Sequence, residues 1–319
     1  MKILVPLNDV ACLSRYIDAG ADEFYLGFYD EKWFEIFGNY SDINRMSGFR
    51  QHANRYNFEQ AMEVARCVKK NERSVFLTLN ANFYSSEQIT YIKENYFPAI
   101  QQAGIDGLIV SEYALAKAAE EAGIPTVAST MCAIYNSDIL HYYAQSGMRR
   151  MILPRDLSLD EIASICKENP DIQIELFFMR NGCTFSDCYC LGMHRPECGA
   201  TCSFLKHSPK SVAMFANTFE EKHNYYLTDS LYNTLLHKNA CGMCALYRMK
   251  CMNIYSLKIV GRADNADSVC RDIALAKENI AIAEKCHSEE EYLEKMILPP
   301  NAATQCLLGL SCYYPEVRF

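Results

Sequence analysis

The feature that most constrains the fold of this chain is an eightfold alternation of short apolar segments with helix-forming segments. The apolar segments predict strands at residues 1–6, 22–28, 75–80, 107–111, 126–130, 150–154, 172–178 and 255–260. Apolar strands joined by helical crossovers are typical of a parallel sheet covered on both faces. Eight such units predict an α/β fold of the closed (β/α)8 TIM-like barrel type. An open doubly wound sheet is the rival, but no Gly-x-Gly-x-x-Gly follows the first strand.

Two long segments interrupt this alternation. Residues 179–252 form a cysteine-rich insertion between strands 7 and 8, so residues 1–178 are expected to make the first part of the barrel and residues 253–319 to complete it. A chain of 319 residues is long enough for one such barrel. Residues 29–56 show neither helical nor strand periodicity. The segment is interpreted either as a binding loop or as a mobile insertion.

The insertion is dense in cysteine. Thiolates this close together repel one another unless a metal neutralises them, so a metal centre is the leading interpretation. Only Cys241 and Cys244 have the C-x2-C spacing typical of zinc ribbons, and the irregular spacing of the others favours an iron–sulfur cluster over zinc or structural thiols. The insertion holds eight of the sixteen cysteines of the chain: Cys183, Cys188, Cys190, Cys198, Cys202, Cys241, Cys244 and Cys251.

Arginines follow three of the predicted strands. Chemistry in such barrels sits at the carboxyl ends of the strands, where this chain has Arg155, Arg180 and Arg262. Because arginine binds carboxylates through two parallel hydrogen bonds, an anion site beside the metal centre is predicted. Any one of these arginines, taken alone, is more often a surface salt-bridge partner.

Charge and hydropathy exclude some functions. The net charge of −8 argues against a general nucleic-acid binder, although Arg149, Arg150 and Arg155 leave a local basic patch open. No apolar run approaches the roughly 18 residues of a membrane span. Residues 1–6 lack the features of a signal peptide. We therefore predict a cytoplasmic protein, in which the cysteines are not a disulfide framework.

Three stretches resemble peptidase family U32, the collagenase-like group that includes bacterial anaerobic hydroxylation proteins. Residues 19–27, AGADEFYLG, are similar to the family's aGADavYlG strand, and residues 255–262, YSLKIVGR, to its slKieGR strand. Residues 128–162 resemble the family segment that ends in rvvLsrElsl-ei. In this order and spacing the three stretches span most of the chain.

The resemblance implies a barrel-like fold and an oxygen-sensitive 4Fe–4S cluster held by four cysteines. Carried over residue by residue, the ligands are Cys183, Cys190, Cys198 and Cys241. Cys198 forms a C-x3-C pair with Cys202, while Cys188 and Cys244 are alternatives to Cys190 and Cys241. A second metal site, formed by these surplus thiols together with Cys251, is therefore a further alternative.

Relatives act in oxygen-independent hydroxylation of ubiquinone precursors or RNA bases, with prephenate implicated as the oxygen donor. The resemblance therefore implies an iron–sulfur oxidoreductase with a small-molecule or RNA-base substrate. Arg155, Arg262 and then Arg180 are the expected contacts for prephenate. Tyr25 and Asn136 are candidates for the pocket wall, with core packing and helix capping as their alternative roles.

Two other functions remain as alternatives. A collagenase-like peptidase is disfavoured because the chain has no His-Glu-x-x-His and no Gly-x-Ser-x-Gly. The second alternative is a non-catalytic subunit of a heteromeric iron–sulfur complex. The 21 tyrosines of the chain are suited to an interface in a homo- or hetero-oligomer.

Overall fold

The computed structural model of the chain describes residues 1–183, 186–190, 218, 220–221, 239–300, 302, 306 and 311–317. Eight parallel strands close into a barrel in sequence order, and the last strand pairs with the first. The predicted (β/α)8 barrel is therefore confirmed. The strands are β1 Lys2–Pro6, β2 Glu23–Leu26, β3 Ser74–Leu79, β4 Gly107–Val110, β5 Thr126–Ala128, β6 Arg150–Ile152, β7 Gln173–Met179 and β8 Ser256–Ile259.

Helices surround the barrel. In the part of the chain that the structure describes they are α1 Leu13–Ala19, α2 Glu31–Phe37, α3 Phe58–Lys70, α4 Ser86–Asn95, α5 Phe97–Ala103, α6 Tyr113–Glu121, α7 Ser137–Ala144, α8 Leu159–Glu168, α9 Leu246–Cys251, α10 Ala266–Lys285 and α11 Glu289–Lys295. Short 3-10 segments lie at Val10–Cys12, Ser47–His52, Thr130–Cys132, Asp187–Tyr189 and Met243–Ala245. Of the described helices, none is long and apolar enough to span a membrane.

Local sequence explains where several helices begin and end. Ser158 and Glu161 form a capping box at the start of α8. The chain between β3 and β4 forms two helices, α4 and α5, rather than one continuous helix. Pro98 lies in the first turn of α5, where its missing N–H is tolerated, whereas inside a continuous helix it would break a hydrogen bond.

The segment 29–56 is packed on the barrel by aromatic side chains. It contains α2, whose N-terminus is capped by Asp30. Trp33 is fully buried and stacks on Tyr96, and the Tyr96 hydroxyl donates to Asp30 at 2.6 Å. Because this segment follows β2, these contacts hold it over the carboxyl ends of the strands.

The inside of the barrel carries a chain of alternating charges, which we call the floor network. Lys2 contacts Glu23 at 2.9 Å, and Glu23 contacts Arg150 from the opposite strand at 2.6 Å. Arg150 then contacts Glu175 at 2.7 Å, and Glu175 contacts Lys258 at 3.0 Å. Each carboxylate in the network therefore lies between two cations. Arg150, a candidate for a surface basic patch in the sequence, is buried here.

Burial and pairing set the charges of this network. Burial acts to raise the pKa of Glu175, but Lys258 and Arg150 outweigh it, so the pKa is lowered and the carboxylate stays charged. Burial lowers the pKa of Lys258, and Glu175 offsets only part of this effect. The Arg150 guanidinium also stacks over Phe76 at 4.9 Å, which supports its position in the barrel.

Candidate functional site

At the carboxyl ends of the strands, one buried carboxylate joins three parts of the chain. Asp187 contacts Arg155 Nε at 2.7 Å and Arg45 Nη1 at 2.6 Å, and it accepts a hydrogen bond from Thr130 Oγ1 at 3.2 Å. The Asp187 side chain is fully buried. We call these four residues the mouth anchor, since they tie the start of the cysteine-rich insertion to β5, β6 and the segment 29–56.

The two arginines keep Asp187 ionised. Burial acts to raise its pKa, but the guanidinium groups of Arg155 and Arg45 outweigh burial and lower the pKa to about 2. Arg155 also donates from Nη1 to the Asn181 carbonyl at 2.8 Å and lies 4.0 Å above the Phe177 ring. The mouth anchor holds two cations and one anion, so it carries a net positive charge.

Two of the predicted metal ligands lie beside this anchor. Burial opposes the charged form of Arg155, but Asp187, Tyr313 and the Cys183 thiol raise its pKa. Burial likewise opposes the charge of Arg45, whose pKa is raised by Asp187 and then by the Cys190 thiol. Cys183 therefore lies within electrostatic reach of Arg155, and Cys190 within reach of Arg45.

Neighbouring contacts fix the backbone of this cysteine segment. Asn82, which follows β3, donates to the Cys190 carbonyl at 2.8 Å. The Cys188 sulfur lies 3.2 Å from Ser186 Oγ and 3.6 Å from the Tyr135 hydroxyl. The predicted ligand Cys198 and its alternative Cys202 lie outside the described residues.

Cys241 is held in a different set of contacts. It forms a β-bridge with Cys312, and its sulfur accepts a hydrogen bond from the Met243 N–H at 3.4 Å. Burial raises the pKa of its thiol to about 12, with further contributions from Cys244, Cys306 and Cys312. Cys251 is exposed on α9.

Within the described ranges, no three or more His, Cys, Asp or Glu side chains are placed to hold a metal ion. The set of Cys183, Cys190, Cys198 and Cys241 therefore stays a prediction.

Arg262 has a different environment from the other predicted arginines. Its Nη1 donates to Asn54 Oδ1 at 2.9 Å and approaches Asn44 Oδ1 at 3.5 Å, and its Nη2 donates to Thr78 Oγ1 at 3.1 Å. The guanidinium lies 5.5 Å from the centre of the Tyr25 ring. Among the described residues, all of these partners are neutral. Burial lowers the pKa of Arg262; Tyr25 acts against this effect, and repulsion from Arg45 adds to it.

The remaining predicted contacts have partners of their own. Arg180 pairs with Asp264 at 2.9 Å and with Asp272 at 2.7 Å. Tyr25 is buried between Arg262 and Lys258, whose amine lies 4.3 Å from the ring centre. Asn136 is exposed and caps α7 by accepting from the Ile139 N–H at 3.0 Å. The Asn136 amide oxygen is thus used in its alternative role, as a helix cap.

A pocket of about 470 Å³ opens next to Arg262. Its walls come from the segment after β1, the segment after β8 and residues 51–55. The lining residues are Pro6, Asn8, Asp9, Cys12, Tyr16, Gln51, His52, Arg55, Gly261, Arg262, Ala263, Asp264 and Ala266.

Several residues of the site carried no signal in the sequence. Asn44, Arg45 and Asn54 lie in the aperiodic segment 29–56, where only its unusual length pointed to function. Asp187 lies among cysteines, and their spacing predicts a metal site without assigning a role to a carboxylate. Asp187 precedes Cys188 directly, and this proximity to a candidate ligand is the one signal that could have found it.

Comparison with known proteins assigns the family. A family model described as Peptidase family U32 matches residues 8–298, which is most of the chain. The chain belongs to this family. The resemblance that the three sequence stretches indicated is thereby confirmed.

Relatives in this family carry names of two kinds. An uncharacterized protease of Methanocaldococcus jannaschii is 26% identical over 92% of this chain and 69% of the relative. A collagenase of Porphyromonas gingivalis is 26% identical over 51% of this chain and 35% of the relative. The tRNA hydroxylation protein P of Haemophilus influenzae is 32% identical over 33% of this chain and 23% of the relative. The last two matches thus cover about a third or less of those proteins.

Proposed function

We propose that this U32 family member is an iron–sulfur oxidoreductase of the oxygen-independent hydroxylase type, with prephenate as the candidate oxygen donor. One observation carries the proposal. The buried ion pairs of Asp187 with Arg155 and Arg45 hold this residue, which lies between Cys183 and Cys190 in the sequence, at the carboxyl ends of the barrel strands. Family relatives named for tRNA hydroxylation support the reaction class.

The chemistry of these thiols fits a thiolate-held cluster. The thiolate is the form of cysteine that binds iron. Cys183 and Cys190 would hold the cluster together with Cys241 and a cysteine of the C-x3-C pair, Cys198 in the family pattern. When bound, a 4Fe–4S cluster supplies one-electron transfer.

The residues of the chain have separate roles in this proposal. Asp187 fixes the cysteine segment on the barrel, because its two ion pairs are buried and therefore poorly replaced by water. Arg262 offers a guanidinium to a carboxylate of the substrate or oxygen donor. The substrate itself is a small molecule or an RNA base, and the acidic chain favours the small molecule.

Anaerobic purification tests the proposal. We expect brown protein with about four iron and four sulfide per chain. Cys183→Ser and Cys190→Ser should each lower the iron content by at least half, whereas Cys67→Ser, on the exposed surface of α3, should leave it unchanged. Colourless, iron-free protein, or full iron content in both variants, would contradict the proposal. Mass spectrometry of co-purifying carboxylates would identify the small molecule.

The same preparation separates the alternatives. Cleavage of casein or gelatin by iron-free protein, lost on changing one cysteine, would favour the peptidase named among the relatives. Iron-loaded protein that hydroxylates only after a second protein is added would favour a subunit of a heteromeric complex. Each outcome uses a readout other than iron content, so the three functions are distinguishable.

A further inference from the structure

We infer that Tyr313 is a positioning residue for the iron site of the proposed function, because it holds the backbone that leads to Cys183 and the backbone of Cys241 at the same time. Tyr313 lies in residues 311–317, which follow α11 in the chain and which we call the tail segment. The inference rests on the proposed function for what the two cysteines hold. The contacts that Tyr313 makes are independent of that proposal.

The tail segment pairs with the backbone of Cys241. The Cys241 N–H donates to the Ser311 carbonyl at 2.7 Å, and the Tyr313 N–H donates to the Cys241 carbonyl at 2.9 Å. These two bonds flank Cys312, which forms the parallel bridge with Cys241. Ser311 and Tyr313 are both buried. The tail segment therefore fixes both backbone hydrogen-bonding groups of Cys241.

The same tyrosine reaches the chain that leads to Cys183. Just after β7, the Arg180 N–H donates to the Ala240 carbonyl at 2.7 Å, so this chain runs beside the segment of Cys241. The Tyr313 hydroxyl donates to the Arg180 carbonyl at 2.6 Å, three residues before Cys183. One side chain thus connects the segments of the first and the last predicted ligand.

The backbone at this point needs such support. Arg180 has a φ of 67° and Asn181 a φ of 44°, and two successive left-handed residues are costly when neither is glycine. Backbone of this kind persists only where surrounding contacts hold it. Arg155 donates from Nη1 to the Asn181 carbonyl at 2.8 Å, and the Tyr313 hydroxyl holds the Arg180 carbonyl. Without the hydroxyl, we expect the turn to relax and Cys183 to move with it.

Packing of the Tyr313 ring fixes where its hydroxyl lies. The ring stacks on Phe177, with 6.3 Å between the ring centres and 23° between the ring planes. Phe177 lies on β7, and the Arg155 guanidinium lies 4.0 Å from the centre of its ring. Glu316 accepts a hydrogen bond from the Leu159 N–H at 2.6 Å, which holds the far end of the tail segment. A phenylalanine in place of Tyr313 would keep the stacking and lose only the hydroxyl.

Tyr314 provides a matched control. It is the next residue of the tail segment, it is also buried, and its hydroxyl donates to the Phe177 carbonyl at 2.8 Å. Phe177 belongs to β7, which pairs with β6 and β8 and is not a turn before a predicted ligand. Tyr313→Phe and Tyr314→Phe each remove one buried hydrogen bond of similar length. A purely structural role would therefore affect both variants alike, whereas a positioning role affects Tyr313→Phe alone.

Hydrogen exchange followed by mass spectrometry provides the first test, on the full-length protein as purified anaerobically. We expect the backbone amides of residues 180–183 to exchange at least tenfold faster in Tyr313→Phe than in wild type, because the turn opens once the Arg180 carbonyl is released. In Tyr314→Phe the same amides should exchange within twofold of the wild-type rate. Equal rates in the two variants would overturn the inference, whether or not iron is bound.

The iron site provides the second test. A chelator should remove iron at least threefold faster from Tyr313→Phe than from Tyr314→Phe, and the electron paramagnetic resonance spectrum of the reduced protein should shift only in Tyr313→Phe. Equal rates of iron release with unchanged spectra would overturn the role of Tyr313 at the iron site. Iron-free wild-type protein, combined with faster exchange in Tyr313→Phe, would contradict the proposed function and still support the role of Tyr313 in holding the two segments.

Discussion

The floor network and the mouth of the barrel both bury charged side chains, yet they neutralise them differently. In the floor network, Glu23 and Glu175 each lie between two cations. At the mouth, Arg45 and Arg155 share the single carboxylate of Asp187, and Arg262 contacts only neutral groups. Among the described residues, every cation of the floor network and of the mouth anchor therefore contacts a carboxylate, whereas Arg262 contacts none.

This difference separates structural charge from charge available for binding. A buried ion pair fixes the positions of the two side chains that form it, although their desolvation offsets much of the Coulomb energy. An uncompensated buried cation lowers stability, so its presence indicates a function that requires it. Arg180, which pairs with two carboxylates, belongs with the compensated group although it lies near the mouth.

The largest expected effect comes from breaking the floor network. Glu175→Gln removes the carboxylate of Lys258 and one of the two carboxylates of Arg150, so it should lower the free energy of unfolding by about 3–5 kcal/mol. Urea unfolding measures this. Glu121→Gln, at the exposed end of α6, should change stability by less than about 0.5 kcal/mol. A similar small change in Glu175→Gln would mean that the floor charges are hydrated.

At the mouth, the acid dependence of stability should report on Asp187. Its pKa in the folded protein, about 2, is below the unfolded value of about 3.9, so its contribution is present above about pH 4 and is lost as the pH falls through about 2. That difference is worth about 2.6 kcal/mol. Urea unfolding between about pH 5 and pH 2 should therefore show a steeper loss in wild type than in Asp187→Asn. If stability fell with pH equally in wild type and Asp187→Asn, the ion pairs of the mouth anchor would not set the pKa of Asp187.

Gly27→Ala crowds the neutral partners of Arg262. The added Cβ overlaps Asn54 and Arg262, so the free energy of unfolding should fall by about 1–3 kcal/mol. Urea unfolding measures this. Wild-type stability in Gly27→Ala would show that Asn54 and Arg262 move apart at no cost.

The smallest effect is expected at Asn136. Its side chain caps α7, so Asn136→Ala should cost about 1 kcal/mol of stability. Asn136→Asp, which retains the capping oxygen, should keep most of the stability. Unchanged stability in Asn136→Ala would contradict the capping role.

Parts of the site could be predicted from the sequence because they follow from position along a strand. Arg155 and Arg262 come just after β6 and β8, and strand ends are readable from the apolar pattern. The partners of these arginines could not be predicted in this way. Asn54 and Arg262 are 208 residues apart in sequence, and Asn54 lies in a segment without periodicity. Nothing local distinguishes its amide from that of any other loop asparagine.

The sequence by itself determined the barrel, because eight apolar segments separated by helices must bury both faces of a parallel sheet. It also determined where cysteines and arginines collect, since both follow the ends of strands. Only the tertiary structure decided which charges are neutralised. Arg150, Arg180 and Arg262 look alike as residues, and distant segments bring carboxylates to the first two and amides to the third. Charge pairing depends on distances of a few ångströms between residues far apart in the chain, and those distances exist only after folding.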